Sequence, residues 1–414
     1  MADLFIIGQF NAVDGITAVS NGSQVMHMLT AILVGLAMGV TVSISHAVGA
    51  ENHTLVERTI GNTITLFACI SIVSTFLLLI FVKPLVVLLN VPQEAMTGTV
   101  QYLVICFIGI PFITAYNIIS SIYRGLGDSK SPMYIIAIAC LLNIILDYIF
   151  IGSFHMGPIG AALGTTVSQS VSVIIALISM KYRTSDIHIK KEDLHLQSQV
   201  FKHILKVGFP VAIQDGCVQI AFMIITIIAN SRGLNDAAAV GIVEKMITAI
   251  FIIPSTMLAT VSALSAQNIG AKDYGRARTV LKYAVMITTL YGIIVALIVE
   301  CAAPTLLGLF TKDTTVILLG VQYISSYIMD TIFAGIHFCF SGYFAADGKS
   351  YIGFIHNIIA ISLVRVPGSY IASIMYPHNL FPMGLAAPLG SLLSVIICLI
   401  AYRILKKKDE LSVL

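Results

Sequence analysis

The chain consists almost end to end of apolar runs about twenty residues long, the length a helix needs to cross about 30 Å of hydrocarbon. Such a helix satisfies its own backbone N–H and C=O groups, which lipid cannot do. Eleven runs of spanning length are read at 18–47, 59–82, 99–122, 132–152, 158–180, 206–230, 237–267, 280–303, 316–343, 351–375 and 383–404. Apolar residues make up 57% of the 414 and charged residues only 10%. A soluble domain carries roughly 25% charged residues, so these helices have no coat to present to water. The fold class is all-α and integral to a membrane. Seven cysteines lie inside the runs without CxxC or Cys/His spacing and read as small apolar side chains. No basic segment precedes the first apolar stretch, so no cleavable signal peptide is expected.

Orientation follows from where Lys and Arg fall. Eighteen of the twenty-three lie in the loops after runs ending near 47, 122, 180, 267 and 343, or in the C-terminal tail. The alternate loops hold Lys83, Arg232 and Lys312, and Lys245 and Arg365 lie within runs. The C-terminus and the polar segment before residue 206 are therefore expected on the cytoplasmic side of a cell's inner (plasma) membrane. Residues 1–10 are apolar but too short to span. They are expected to be the outer end of a helix whose remainder is encoded by about thirty residues upstream of Met1, a span and its flank.

The chain repeats itself at an offset of 221 residues. Gly49-Ala50 returns as Gly270-Ala271, Tyr102 as Tyr323, Gly127 as Gly348 and Ser129 as Ser350. After a three-residue slip, Pro158, Gly160 and Ala162 return as Pro382, Gly384 and Ala386. Even numbers of spans per repeat give halves of the same polarity, related by a pseudo-twofold along the membrane normal, as in duplicated transporter halves. The expected domains are an N-terminal six-helix lobe at 1–181, a cytoplasmic linker at 182–205, and a C-terminal six-helix lobe with a basic tail at 206–414.

Ionisable groups at membrane depth cost at least about 2.5–3.5 kcal/mol each and are functional candidates by default. Here they are Asp3, Asp147, Asp215, Glu244, Lys245, Asp330 and Arg365, with Glu300 near the end of a run. Glu244, Lys245, Asp330 and Arg365 include both signs, so ion pairing that merely holds helices together competes with a functional role. The first half has no Lys or Arg within its runs to neutralise Asp3 and Asp147. Asn143 and Asp147, four apart, project from one helix face. A carboxylate beside a carboxamide offers hard oxygen ligands for Na⁺, or a protonatable group with a hydrogen-bonding neighbour. Thr165 and Thr166 in the next run add hydroxyls, although membrane threonines more often bond their own i−4 carbonyl. Gly35 and Gly39 form a GxxxG that permits close helix packing, and Pro111, Pro210, Pro254 and Pro367 free backbone carbonyls or bend helices. His27, His46, His337 and His356 stand apart, without metal-ligand spacing.

These motifs together resemble one family. Ala2-Asp3-Leu-Phe-Ile-Ile-Gly8 is similar to the "VDTxxxG" end of the first helix in multidrug and toxic compound extrusion (MATE) transporters. Gly49-Ala50-Glu-Asn52 resembles their "GAxN", and Arg124-Gly125-Leu-Gly127-Asp128 through Pro132 their "RGxGDxxxP" loop. Asn143 to Asp147, followed by Gly157-Pro-Ile-Gly160-Ala161-Ala162, is similar to their fifth and sixth helices. Arg365-Val-Pro367 and Gly384-Leu-Ala-Ala-Pro388 resemble the eleventh and twelfth. The resemblance implies twelve helices, the first incomplete here, in two lobes around a central cleft. It further implies export of cationic or amphipathic drugs and toxins by antiport with Na⁺ or H⁺. One branch holds the cation in the N-terminal lobe, and its positions match Asp3, Asn143, Asp147 and Thr165. Another branch carries a Glu eight residues after the proline of helix seven; that position is Val218 here, and the nearest acid is Asp215.

Two other readings compete. A lipid-linked saccharide flippase of the same superfamily would need cationic residues facing a pyrophosphate, and the first half has none in its runs. An integral-membrane enzyme would need a nucleophile–base pair or metal ligands at membrane depth. No organic cofactor, resident metal or nucleic-acid partner is expected, and the transporter is expected to work as a monomer in the lipid bilayer.

Overall fold

The computed structural model describes residues 2–10, 13–89, 91–183 and 190–412, and every regular element among them is helical. Met1 and residues 184–189 of the expected linker lie outside these. The chain forms two compact units, Met1–Leu205 and Lys206–Leu414. Nine helices are long and apolar enough to cross a membrane, and two bent pairs bring the number to eleven among the described residues.

In the first unit the helices are α1 (Ala2–Phe10), α2 (Val13–Gly49), α3 (His53–Leu88), α4 (Gln93–Ile108), α5 (Ile110–Gly125), α6 (Lys130–Asp147) and α7 (Gly157–Arg183). A π-helical stretch, Tyr148–Ser153, follows α6. The helices α4 and α5 form one span bent by 48°. Short as it is, α1 is docked, with Ile6 and Ile7 buried in a core shared with Val19, Tyr102, Phe107 and Ile151. The polar segment before 206, read as the linker, packs on the first unit where it is described. Its 3₁₀ turn, Lys191–Leu194, lies against α3. There Asn62 Nδ2 donates to the Asp193 carbonyl at 3.2 Å, and Thr65 Oγ1 to that of Leu194 at 2.7 Å. A side chain at Gly61 would place its Cβ 2.4 Å from the same Asp193 carbonyl oxygen.

The second unit continues with α8 (Ser198–Arg232, which begins in the first unit), α9 (Leu234–Ile250), α10 (Ile252–Gly270), α11 (Tyr274–Gly308), α12 (Thr314–Tyr327), α13 (Asp330–Ala346) and α14 (Ser350–Ala360). A π stretch at Ile361–Arg365 leads into α15 (Val366–Met375), α16 (Phe381–Gly384) and α17 (Ala386–Ser412). The pair α12 and α13 is one span bent by 40°.

The 221-residue offset recurs in the helix boundaries. The helices α2 and α9 start at 13 and 234, and α3 and α11 start at 53 and 274. The bent pairs run 93–125 and 314–346. The Gly-Ala motif explains one of these coincidences. Glu51 and Lys272, its third residues, both take the left-handed backbone, with φ of 53° and 60°. The following Asn52 and Asp273 cap the next helix, accepting from the N–H of Leu55 at 3.0 Å and of Arg276 at 2.8 Å. Such a cap contributes about 0.5–2 kcal/mol.

Three of the prolines act as their chemistry requires. A helical proline cannot bond the carbonyl four residues back, and lipid offers that carbonyl no donor. Hydroxyls from neighbouring helices supply one each time. Thr75 donates to Phe107 O at 3.3 Å opposite Pro111, Ser350 to Lys206 O at 3.1 Å opposite Pro210, and Tyr291 to Ile250 O at 2.9 Å opposite Pro254.

Candidate functional site

Asp3, Asn143, Asp147 and Thr165, far apart in sequence, meet in the first unit. Asp147 is the last residue of α6, where the backbone passes into the π stretch. Single-turn π segments inside α-helices frequently accompany functional sites. Its side chain is fully buried. Asn143 Nδ2 reaches Asp147 Oδ1 at 3.5 Å, as the i,i+4 spacing predicts, while Asp147 Oδ2 has no hydrogen-bond donor. From α1, the Asp3 carboxyl faces that of Asp147. Thr165 Oγ1 on α7 donates to Asp3 Oδ2 at 3.3 Å. Thr166 instead packs against Gly109, whose added Cβ would lie 2.9 Å from it.

Two further residues belong to this site. Gly164 leaves the space that the Asp147 carboxylate fills, since a Cβ there would lie 2.1 Å from Oδ1. Buried Tyr102 lies beside both acids. Its recurrence as Tyr323 was the available signal, because Tyr323 likewise lies beside Glu244 and Asp330. Two carboxylates facing each other in a low-dielectric interior cannot both stay ionised without compensation. A proton, or a small cation coordinated by oxygens, is the kind of compensation such a pair accepts.

The remaining charged candidates divide. Asp330 and Arg365 line one cavity in the second unit, and Glu244 lies within the electrostatic field of Arg365. Glu244 Oε2 accepts from Thr226 at 3.3 Å. Asp215, half-buried in α8, makes no hydrogen bond or ion pair with the described residues. Lys245 and Glu300 are exposed on α9 and α11 and do not join the cluster. The histidines, scattered in sequence, are not all scattered in space. His337 and His356 pack edge to face, with ring centroids 5.4 Å apart, and His356 Nε2 shares a hydrogen bond with Ser341 at 2.9 Å. Their separation of nineteen residues places them on α13 and α14, which no single-helix spacing can reveal. No group of three or more His, Cys, Asp or Glu among the described residues is arranged to hold a metal.

The sequence model of the MatE family matches residues 1–149 and 210–371, three quarters of the chain and most of both units. The chain belongs to the MatE family. It is 22% identical over its whole length, and over 90% of the relative, to the probable multidrug resistance protein YoeA of Bacillus subtilis. It is 24% identical to the probable multidrug resistance protein NorM of Thermotoga maritima, over 90% of this chain and 80% of that one. A crystal structure of MATE in the bent conformation superposes with a TM-score of 0.93 at 20% identity, covering 99% of this chain and 91% of that one. The fold is thus the all-α MATE architecture, and this MatE protein is a multi-pass membrane transporter rather than an enzyme.

Proposed function

We propose that this MatE protein exports cationic or amphipathic drug-like molecules by antiport with Na⁺ or H⁺, working as a monomer with its C-terminus in the cytoplasm of a cell bounded by its inner membrane. Relatives named as multidrug resistance proteins support the export of drugs. The observation that carries the coupling is the fully buried Asp147, with one oxygen lacking a donor and the Asp3 carboxyl facing it. The ion binds at Asp3, Asn143, Asp147 and Thr165 and relieves the repulsion between the acids. Its differing affinity for the two cleft orientations biases the rocking of the lobes, since a ligand shifts a conformational equilibrium only by that difference.

The test is uptake of a fluorescent cationic drug into everted membrane vesicles under separately imposed Na⁺ and H⁺ gradients. One of the two gradients drives accumulation in the wild type and neither does in Asp147→Asn. Equal gradient-driven accumulation by the wild type and by both Asp147→Asn and Asp3→Asn overturns the assignment.

A further inference from the structure

The second unit holds a charge arrangement that coupling through Asp147 leaves unused. Asp330 stands at the break between α12 and α13 and is fully buried; the Ser391 hydroxyl lies near its carboxylate, but neither oxygen accepts a hydrogen bond of good geometry. Arg365 closes the π stretch before α15. Its guanidinium lies 4.9 Å from the Phe222 ring centroid and 5.7 Å from that of Tyr327, and Nη2 donates to the Tyr327 hydroxyl. Its Nε is buried and unpartnered. Asp330 and Arg365 line the same cavity of about 60 Å³, with Asn357, Ser391 and Ser394 in its wall.

The size of the cavity decides what it is for. A drug-sized ligand needs about 300–1,000 Å³, whereas a water needs about 10–15 Å³ of such space and two to four polar partners. The cavity has room for a few waters rather than a drug, and both the Arg365 guanidinium and the Asp330 carboxylate border that space. A buried carboxylate without compensation costs several kcal/mol, and a guanidinium stays charged at any physiological pH. The acid therefore already has a cation, supplied by the chain. The first unit differs at this point. Its two acids face each other beside Tyr102, and no Lys or Arg lies within its apolar runs. In the second unit Tyr323 occupies the repeat-equivalent position beside its acids, with Arg365 among them.

We propose that Arg365 is a built-in counter-ion for Asp330, holding the electrostatic place that a mobile cation takes in the first unit, so that the Asp330 carboxylate binds no monovalent cation while Arg365 is charged. The comparison with the first unit rests on the coupling reading above. The behaviour of the second unit does not, and the experiment separates them.

Binding of radioactive Na⁺ is measured on purified full-length protein in lipid nanodiscs, with Asp147→Asn as the background that removes the first-unit site. Adding Arg365→Gln creates a Na⁺ site, and adding Asp330→Asn on top removes it. A folded Asp147→Asn/Arg365→Gln protein that gains no Na⁺ site overturns the proposal, as does Na⁺ binding by Asp147→Asn alone that Asp330→Asn abolishes. Na⁺ binding in Asp147→Asn that survives Asp330→Asn counts against the first-unit reading alone, and the increment on adding Arg365→Gln still decides the role of Arg365. A stability cycle provides the second arm. Asp330→Asn leaves the guanidinium with Glu244 as its remaining acid and lowers the melting temperature, and Asp330→Asn/Arg365→Gln recovers part of the loss. Losses that simply add, or a double variant no better recovered than either single one, overturn the proposal.

Discussion

Replacing Gly164 with alanine tests the first-unit site without touching a charged residue. The new Cβ would lie 2.1 Å from Asp147 Oδ1, whereas carbon–oxygen contacts close to about 3.3–3.6 Å, so the carboxylate must retreat by about 1.2–1.5 Å. Asp147 is fully buried, and any retreat stretches the 3.5 Å approach of Asn143 Nδ2. Overpacking of this kind costs about 1–3 kcal/mol. The substitution also removes a helical glycine, which by itself gains roughly 0.5–1 kcal/mol. Gly241→Ala on α9 isolates that second effect, because a Cβ there meets nothing within 4 Å. The difference between the two variants cancels the glycine effect and leaves about 1–3 kcal/mol for the collision at Asp147. Thermal unfolding read by a thiol-reactive dye suits the chain, which has no Trp and whose Cys106, Cys339 and Cys398 are free and buried. Gly164→Ala should unfold below Gly241→Ala and lose gradient-driven export in vesicles. A Gly164→Ala protein as stable as Gly241→Ala, with export intact, would refute the placement of the Asp147 carboxylate.

Three further outcomes are expected. Asp147→Asn and Asp3→Asn should each abolish gradient-driven export while leaving membrane insertion and melting temperature near those of the wild type, whereas Asp14→Asn, exposed in the first turn of α2, should export normally; loss of export in Asp14→Asn would remove the specificity of the claim. Tyr291→Phe deletes the donor that satisfies Ile250 O at 2.9 Å in a half-buried contact and should cost about 1–3 kcal/mol, the penalty for an acceptor left without a donor where lipid offers none; an unchanged melting temperature would show that the carbonyl finds another donor. Gly61→Ala drives a Cβ against the Asp193 carbonyl and should speed amide hydrogen exchange across 190–197 without changing it in α2; equal exchange in both proteins would show that the segment is held by other contacts.

The spans and their number were legible because lipid imposes length and hydrophobicity on every crossing helix. The repeat was legible because helix ends and caps need particular residues, so Gly49-Ala50 and Gly270-Ala271 mark the same turn, with Asn52 and Asp273 as its caps. Asn143 with Asp147 was legible as a pair on one helix. The contact of Thr165 with Asp3, 162 residues apart, was not, and only the resemblance to MATE transporters brought them together. Gly164 left no signal at all, since a glycine that makes room looks like any other helical glycine. Lys245 stood out as a charged candidate by its position within an apolar run alone, and the sequence did not show that it lies on the exposed face of α9. The hydroxyl donors to the carbonyls freed by Pro111, Pro210 and Pro254 were also invisible, because the sequence marks the proline and not the helix that answers it.

The two units spend the same helix template on different charge chemistry, and the exchange is reciprocal. At the 221-residue offset Asp147 corresponds to Gly368, and Asp330 corresponds to Gly109. Each acid therefore has a glycine as its counterpart, and packing explains one side of this directly. A side chain at Gly109 would meet Thr166 at 2.9 Å, on the helix that also carries Thr165 and Gly164. The first unit has thus closed the break between α4 and α5 against a side chain and put its acid at the end of α6, where Gly164 leaves room. The second unit opens the equivalent break, between α12 and α13, into a cavity and puts its acid there, with Arg365 on the cavity wall. In both units the acid stands where the helix departs from regular α geometry, at the start of a π stretch or at a bend. At such places the backbone ladder is interrupted and a side chain can enter the packing. Duplication supplied two such places in each copy, and each copy has used a different one.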